Sequence, residues 1–134
     1  MSGIKIVRAL TVADVALIAV VPATKIGAGV IAQGTAPPII ALTEVVSTDR
    51  NIPKPGTKRR VSERIQATII AQTYAQQKQI LALLRKACAD KIGTIAGITA
   101  VTVHTAGRGP DFNDPEAGFY MQTQDFLVGY EEST

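Results

Sequence analysis

The chain has 134 residues, 46% of them apolar but only 4% aromatic, with 14 Lys and Arg against 11 Asp and Glu and a single Cys. That length suits one domain with a real core, necessarily an aliphatic one, and the apolar content excludes global disorder. One Cys cannot form an internal disulfide, and no uncharged apolar run reaches the ~18 residues a membrane span needs, so neither an oxidising compartment nor a membrane partner is indicated.

The first stretch, with Lys5 and Arg8 before an apolar run from Ala9 to Val21, faintly resembles a signal peptide, but Asp14 interrupts the run where a charge is costly. Thr11-Val-Ala-Asp14 instead fits a helix start, with the Thr11 hydroxyl as N-cap and Asp14 at the third helical position. Two short helices are expected, over about Ile4 to Leu10 and Val12 to Ala19, the second ended before Pro22. Thr24 to Gln33 reads as a weak edge strand loosened by Gly27 and Gly29. It does not fit a phosphate loop, because no third Gly and no Lys-Ser/Thr follows. Pro37-Pro38 breaks the pattern, and Ile39 to Ser47 is a β-branched strand.

Asp49 to Arg60 is expected to be a long irregular loop, with two prolines, a glycine and the bases Lys54, Lys58, Arg59 and Arg60. Such a segment is either a solvated loop, a docking arm for another protein or a lining that faces nucleic acid. No aromatics interleave with the bases to stack on single strands. Val61 to Gln72 alternates apolar and polar residues and predicts a strand with one buried face. Thr73 then caps a helix that the spacing of Tyr74, Gln77, Leu81, Leu84 and Cys88 extends to Lys91, with Gly93 stopping it. This helix is expected to lie across the apolar face of the preceding strand, and Cys88, on its stripe, reads as a small buried hydrophobe. Thr94 to Thr105 predicts a strand ending at His104, a lone His that reads as a surface or capping residue. Ala106 to Ala117 is a second long connection, closing on the turn Pro115-Glu-Ala-Gly118, and Phe119 to Tyr130 is the last strand. Tyr120, Phe126, Val128 and Tyr130 share one of its faces, and Gln122 and Gln124 interrupt that face, which must be partly wet or carry a polar contact there. The resulting expectation is an α+β fold: a mixed, mainly antiparallel sheet of about 4–5 strands, a long helix packed on one face, short N-terminal helices, and one domain over 1–134 with long loops at 49–60 and 106–117.

The charge is unevenly spread. Residues 1–108 hold all 14 bases and 5 acids, a balance of +9, while residues 109–134 hold 6 acids and no base. Either the charges simply occupy solvated faces, or the protein is self-complementary, the acidic end of one copy (Asp111, Asp114, Glu116) meeting a basic flank of the next in a head-to-tail contact that closes into a ring, with Lys54, Lys58, Arg59 and Arg60 facing the assembly's other partners. One His, one buried Cys and acids gathered in loops offer no convergent acid, base or metal groups, so an enzyme, a catalytic residue, a cofactor or a metal site is not expected.

The order of elements, and the local run Asp114-Pro-Glu-Ala-Gly-Phe-Tyr120 leading to Asp125-Phe126 and a late Tyr130, resembles the phage tail completion proteins, also called tail terminator or head-tail joining proteins. Pro37-Pro38 and Thr73-Tyr-Ala-Gln76 fit the same pattern, whereas Gln122 and Gln124 stand where that family usually carries apolar residues. The resemblance implies a structural virion protein of the tail and neck, present in the host cytoplasm during assembly. It implies a ring, usually a hexamer, that caps the head-proximal end of the tail tube. Its partners would then be other copies of itself, the tube protein and the head-tail connector, with DNA passing through the lumen without sequence-specific binding. The alternative left by a pI near 9.2 is a basic nucleic-acid-binding module.

Overall fold

Alternation of apolar and polar residues along Lys58–Ala71 builds the strand that carries the rest of the molecule. A computed structural model describes residues 2–29, 38–50, 58–109, 112–114 and 119–133. In chain order its elements are α1 (Ser2–Ala13), α2 (Val15–Val20), a 3-10 turn (Ala23–Lys25), β1 (Ile26–Ala28), β2 (Ile39–Arg50) and β3 (Lys58–Ala71). These are followed by α3 (Tyr74–Cys88), β4 (Lys91–Ile95), β5 (Ile98–Arg108), β6 (Phe112–Asp114) and β7 (Phe119–Ser133). The strands form one sheet in the order β1-β2-β3-β7-β5-β4, with β6 also pairing β7. Among the described residues only β1 and β2 run parallel, and every other pair is antiparallel. The α+β class and the mixed, mainly antiparallel sheet are as expected. The strand number is not: among the described residues the sheet has seven strands, and α1, at 12 residues, is nearly as long as the 15-residue α3.

The two extra strands come from one missed turn and one misread loop, while a second loop is shorter than expected because the strands beside it are longer. The stretch expected as a single strand from Thr94 folds into a hairpin, β4 to β5, about Ala96 and Gly97, whose φ values of 53° and 78° are those of a two-residue turn matched to sheet twist. The connection after His104 is strand as far as Arg108, and Phe112–Asp114 pairs with Phe119–Met121. His104 therefore sits inside β5 rather than at its end. The presumed loop 49–60 is strand at both ends, with Asp49 opposite Val61 and Arg50 opposite Arg60.

Helix boundaries shift for local reasons. Asp14, not Thr11, caps α2: its Oδ1 accepts the Leu17 N–H at 3.0 Å. Thr11 is buried within α1, its hydroxyl donating to the Arg8 carbonyl at 2.7 Å. Thr73 caps α3 as expected, accepting from Gln76 N–H at 3.1 Å, and the Gln76 amide oxygen reaches back to the Gln72 N–H at 2.9 Å. That helix ends at Cys88, where Ala89 closes the last turn on the Arg85 carbonyl, and Asp90 takes the left-handed conformation (φ 56°) assigned to Gly93, which lies in β4.

Among the described residues, α1 and α3 lie against one face of the sheet and α2 packs on those two helices. Val61, Ile65, Ala67, Ile69 and Ala71 of β3 share one core with Ile80, Leu81, Leu84 and Cys88 of α3, with Ile6 and Val7 of α1 and with Leu17 of α2. Burying Ile80, Leu81 and Leu84 alone contributes roughly 5–9 kcal/mol before entropy is subtracted. Burial pushes the Cys88 thiol up to about 12, the behaviour of an inert core cysteine. Among the described residues no helix is long and apolar enough to cross a membrane.

Candidate interaction surface

Because a strand presents successive side chains to opposite faces, the helix-covered face takes the odd residues of β3 and leaves the even ones on the other side. The register then aligns rows across the sheet. Thr48, Ser62, Gly129 and Thr102 make one row and Val46, Arg64, Leu127 and His104 the next. The first row, together with Leu127 and His104 of the second and with Arg60, lines a recess of about 430 Å³. The Arg60 guanidinium crosses β7 to donate to the Ala100 carbonyl and to Thr102 Oγ1 at 3.1 Å. It can do so only because residue 129 is glycine: a Cβ there would stand 2.7 Å from Arg60 Nη2 and 2.9 Å from Thr102 Oγ1. Beside the recess, Arg64 Nε and Nη2 both sit 2.7 Å from Asp125 Oδ2, and exposed His104 Nδ1 lies 3.7 Å from Asp90 Oδ1.

Strand edges add a second feature. Among the described residues β1 pairs β2 only from Ile40 to Leu42, and from Thr43 to Thr48 every residue of β2 is exposed, Val45 and Val46 by 49% and 53%. A bulge between Glu44 and Val46 is one way to blunt such an edge. At the opposite end of the sheet, β4 exposes Ile92 by 78%.

The helix-covered face holds a polar exception. Gln122, buried under α3, accepts from Lys78 Nζ at 2.8 Å and donates to the Gly109 carbonyl at 3.3 Å. Gln124 donates to the Gly107 carbonyl at 3.0 Å and the Asp125 carbonyl at 2.9 Å. The interrupted face of the last strand thus carries polar contacts and is not wet. These bonds tie β7 to the end of β5, where a bulge at Gly107 (φ 136°) loosens the ladder. Near them Lys78 Nζ lies 5.0 Å from the Tyr74 ring centre, and Tyr74 meets Tyr120 edge-on at 6.5 Å.

The residues singled out by charge fall into separate places. Lys54, Asp111 and Glu116 lie outside the described residues. Lys58, Arg59 and Arg60 begin β3 instead of filling a loop, and they pair in register with Ser133, Glu132 and Glu131 of the same chain. Three of the six C-terminal acids, Asp125, Glu131 and Glu132, therefore stand beside bases or polar residues of β3 within one molecule. Asp114 is at the other end of β7, opposite Phe119. The recess itself was not foreseen. Thr48, Ser62, Thr102 and Gly129 carry no motif, and only the register of four strands brings them together.

The helices thus leave the other face of the sheet open, and both of its end strands carry exposed apolar residues among the described ones. The chain matches the family described as "Tail completion protein gp17" over residues 5–131 and belongs to it. It is thus a structural protein of the phage tail and of the virion. Its fold is shared by a chain from the virion of a native gene transfer agent (GTA) particle, with a TM-score of 0.76 and 17% identity over 96% of this chain and 94% of that one. No curated protein matches the sequence.

Proposed function

We propose that copies of this protein assemble into a ring, a hexamer, at the head-proximal end of the tail, where the ring ends growth of the tail tube and joins the tail to the head or neck. The role is architectural and not catalytic, and the ring forms in the host cytoplasm before it enters the virion. Family membership over residues 5–131 carries this reading. The structure supports it with two unlike sheet edges, β2 with Val45 and Val46 and β4 with Ile92, since unlike surfaces make the head-to-tail contacts from which rings close. The neighbours of such a ring are the tube protein on one side and the connector on the other, with DNA passing through the lumen without being read.

Imaging tails assembled with and without the protein tests this directly. Wild-type protein should appear as a ring at one tail end, and its absence should leave tails that overgrow or never join heads. Normal-length, joined tails without the protein would refute the role. A second experiment concerns the segment between β2 and β3. Replacing residues 52–57 by a short Gly-Ser link should leave melting almost unchanged, because closure entropy depends weakly on loop length, yet tail joining should fail. Neutralising Lys54, Lys58, Arg59 and Arg60 at constant length separates charge from shape.

A further inference from the structure

The recess on the open sheet face and the acidic end of the sheet cannot meet within one chain. β7 starts at Phe119, beside Asp114 of β6, and reaches the recess at Gly129. At ~3.3 Å per residue those two points are about 30 Å apart along one extended strand. The recess is incomplete in charge. In the recess, Arg60 uses one N–H for the Ala100 carbonyl and one for Thr102 Oγ1, leaving three of its five donors. Glu131 faces Arg60 across the ladder, but the guanidinium reaches away from it over Gly129, and no carboxylate among the described residues forms an ion pair with it. Hydroxyls of Thr48 and Ser62, both exposed, complete a donor-rich rim. At the far end, Asp114 is flanked in sequence by Asp111 and Glu116, with no base from residue 109 onward.

We propose that the recess is a carboxylate-binding site and that its occupant is the acidic turn around β6 of a second copy, with Asp114 or a flanking acid entering to meet the Arg60 guanidinium. The proposal rests on the reading of the protein as a ring and supplies the contact by which it closes. A planar guanidinium and a carboxylate can share two parallel hydrogen bonds, stronger and more directional than an exposed ion pair. The contact is heterologous, recess to turn, so each copy offers one of each and the same bond repeats around the ring. At 430 Å³ the recess takes a side chain together with part of its backbone, more than a single ion needs.

The test is complementation between two variants. Thr48→Asp places a carboxylate at the recess mouth on an exposed strand position, with Arg60→Gln as a second recess variant should the first fail to fold. The other partner carries Asp111→Asn, Asp114→Asn and Glu116→Gln. Masses are read by light scattering at low salt, where charged contacts are strongest. Wild-type protein should form a discrete oligomer. Each variant alone should need roughly tenfold more protein to assemble, an order set by one charged contact of about 1.4 kcal/mol. An equimolar mixture should stop at heterodimers, since each pair keeps one intact recess and one intact turn. A variant that assembles like wild type, or a mixture that rebuilds the full oligomer or stays monomeric, overturns the contact while leaving the ring reading standing. A wild-type protein that is monomeric throughout overturns both. If Thr48→Asp instead spares the oligomer and weakens binding of duplex DNA, the recess holds phosphate and the proposal falls.

Discussion

Replacing Gly3 by Ala should destabilise the protein, although Ala is the better helix former. In an exposed helix interior the change would stabilise by up to about 1 kcal/mol, and in a first turn by less. Here the new Cβ would stand 2.6 Å from Glu63 Oε1 and 3.0 and 3.2 Å from the Ile65 Cδ1 and Cγ1 atoms. The carboxylate cannot simply swing aside. Glu63 is 1% exposed, and its Oε1 accepts the Gly3 N–H at 2.7 Å. Overpacking of this kind costs roughly 1–3 kcal/mol, and stretching a charged hydrogen bond adds to it, so the net effect is a loss of about 1–3 kcal/mol. Urea unfolding monitored by circular dichroism would measure it, and a fall in melting temperature of several degrees should accompany it. A Gly3→Ala protein as stable as wild type, or more so, would refute the claim that α1 is pinned to β3 by this close approach.

Glu63 should also make stability acid-sensitive. Burial pushes its carboxyl up, but hydrogen bonds with Glu44, the Gly3 N–H and Tyr130 outweigh that and hold it at about 2, below its ordinary 4.5. A depressed carboxylate stabilises above its unfolded value and loses that contribution as pH falls from 4.5 towards 2, here about 3 kcal/mol at most, and Glu63→Gln should lack this part of the acid transition. Leu84→Asp should unfold the chain by burying an unpaired charge, whereas Gln79→Asp on the exposed face should be nearly silent; equal melting of the two would mean the helix face is misassigned. Gln77 is fully buried, and neither of its amide atoms has a partner among the described residues, so Gln77→Leu should raise stability by about 1–3 kcal/mol in urea titrations.

Much of this molecule follows from its sequence because the signals are local. Period-2 alternation marked β3 and its buried face, the Thr73 hydroxyl marked the start of α3, and the apolar stripe through Leu81, Leu84 and Cys88 marked which side of that helix is covered. The position of Cys88 on that stripe read as a small buried hydrophobe, which it is, and the run from Asp114 to Tyr120 pointed to the tail completion family. What the sequence could not decide was pairing. A turn of Ala96 and Gly97 is short and chemically plain, so β4 and β5 read as one strand until left-handed φ values bent them into a hairpin. Lys58, Arg59 and Arg60 read as loop because charge and neighbouring prolines outweighed weak strand signals, yet ladders with β2 and β7 on either flank override such preferences. The recess is the extreme case. Its residues come from four strands as far apart in sequence as Thr48 and Gly129, and a shift of one residue in any register would turn their side chains to the opposite face. Sequence alone therefore determined which residues prefer to be buried and where α3 begins; the tertiary structure decided which side chains stand together, because strand pairing is a non-local equilibrium set by the whole sheet.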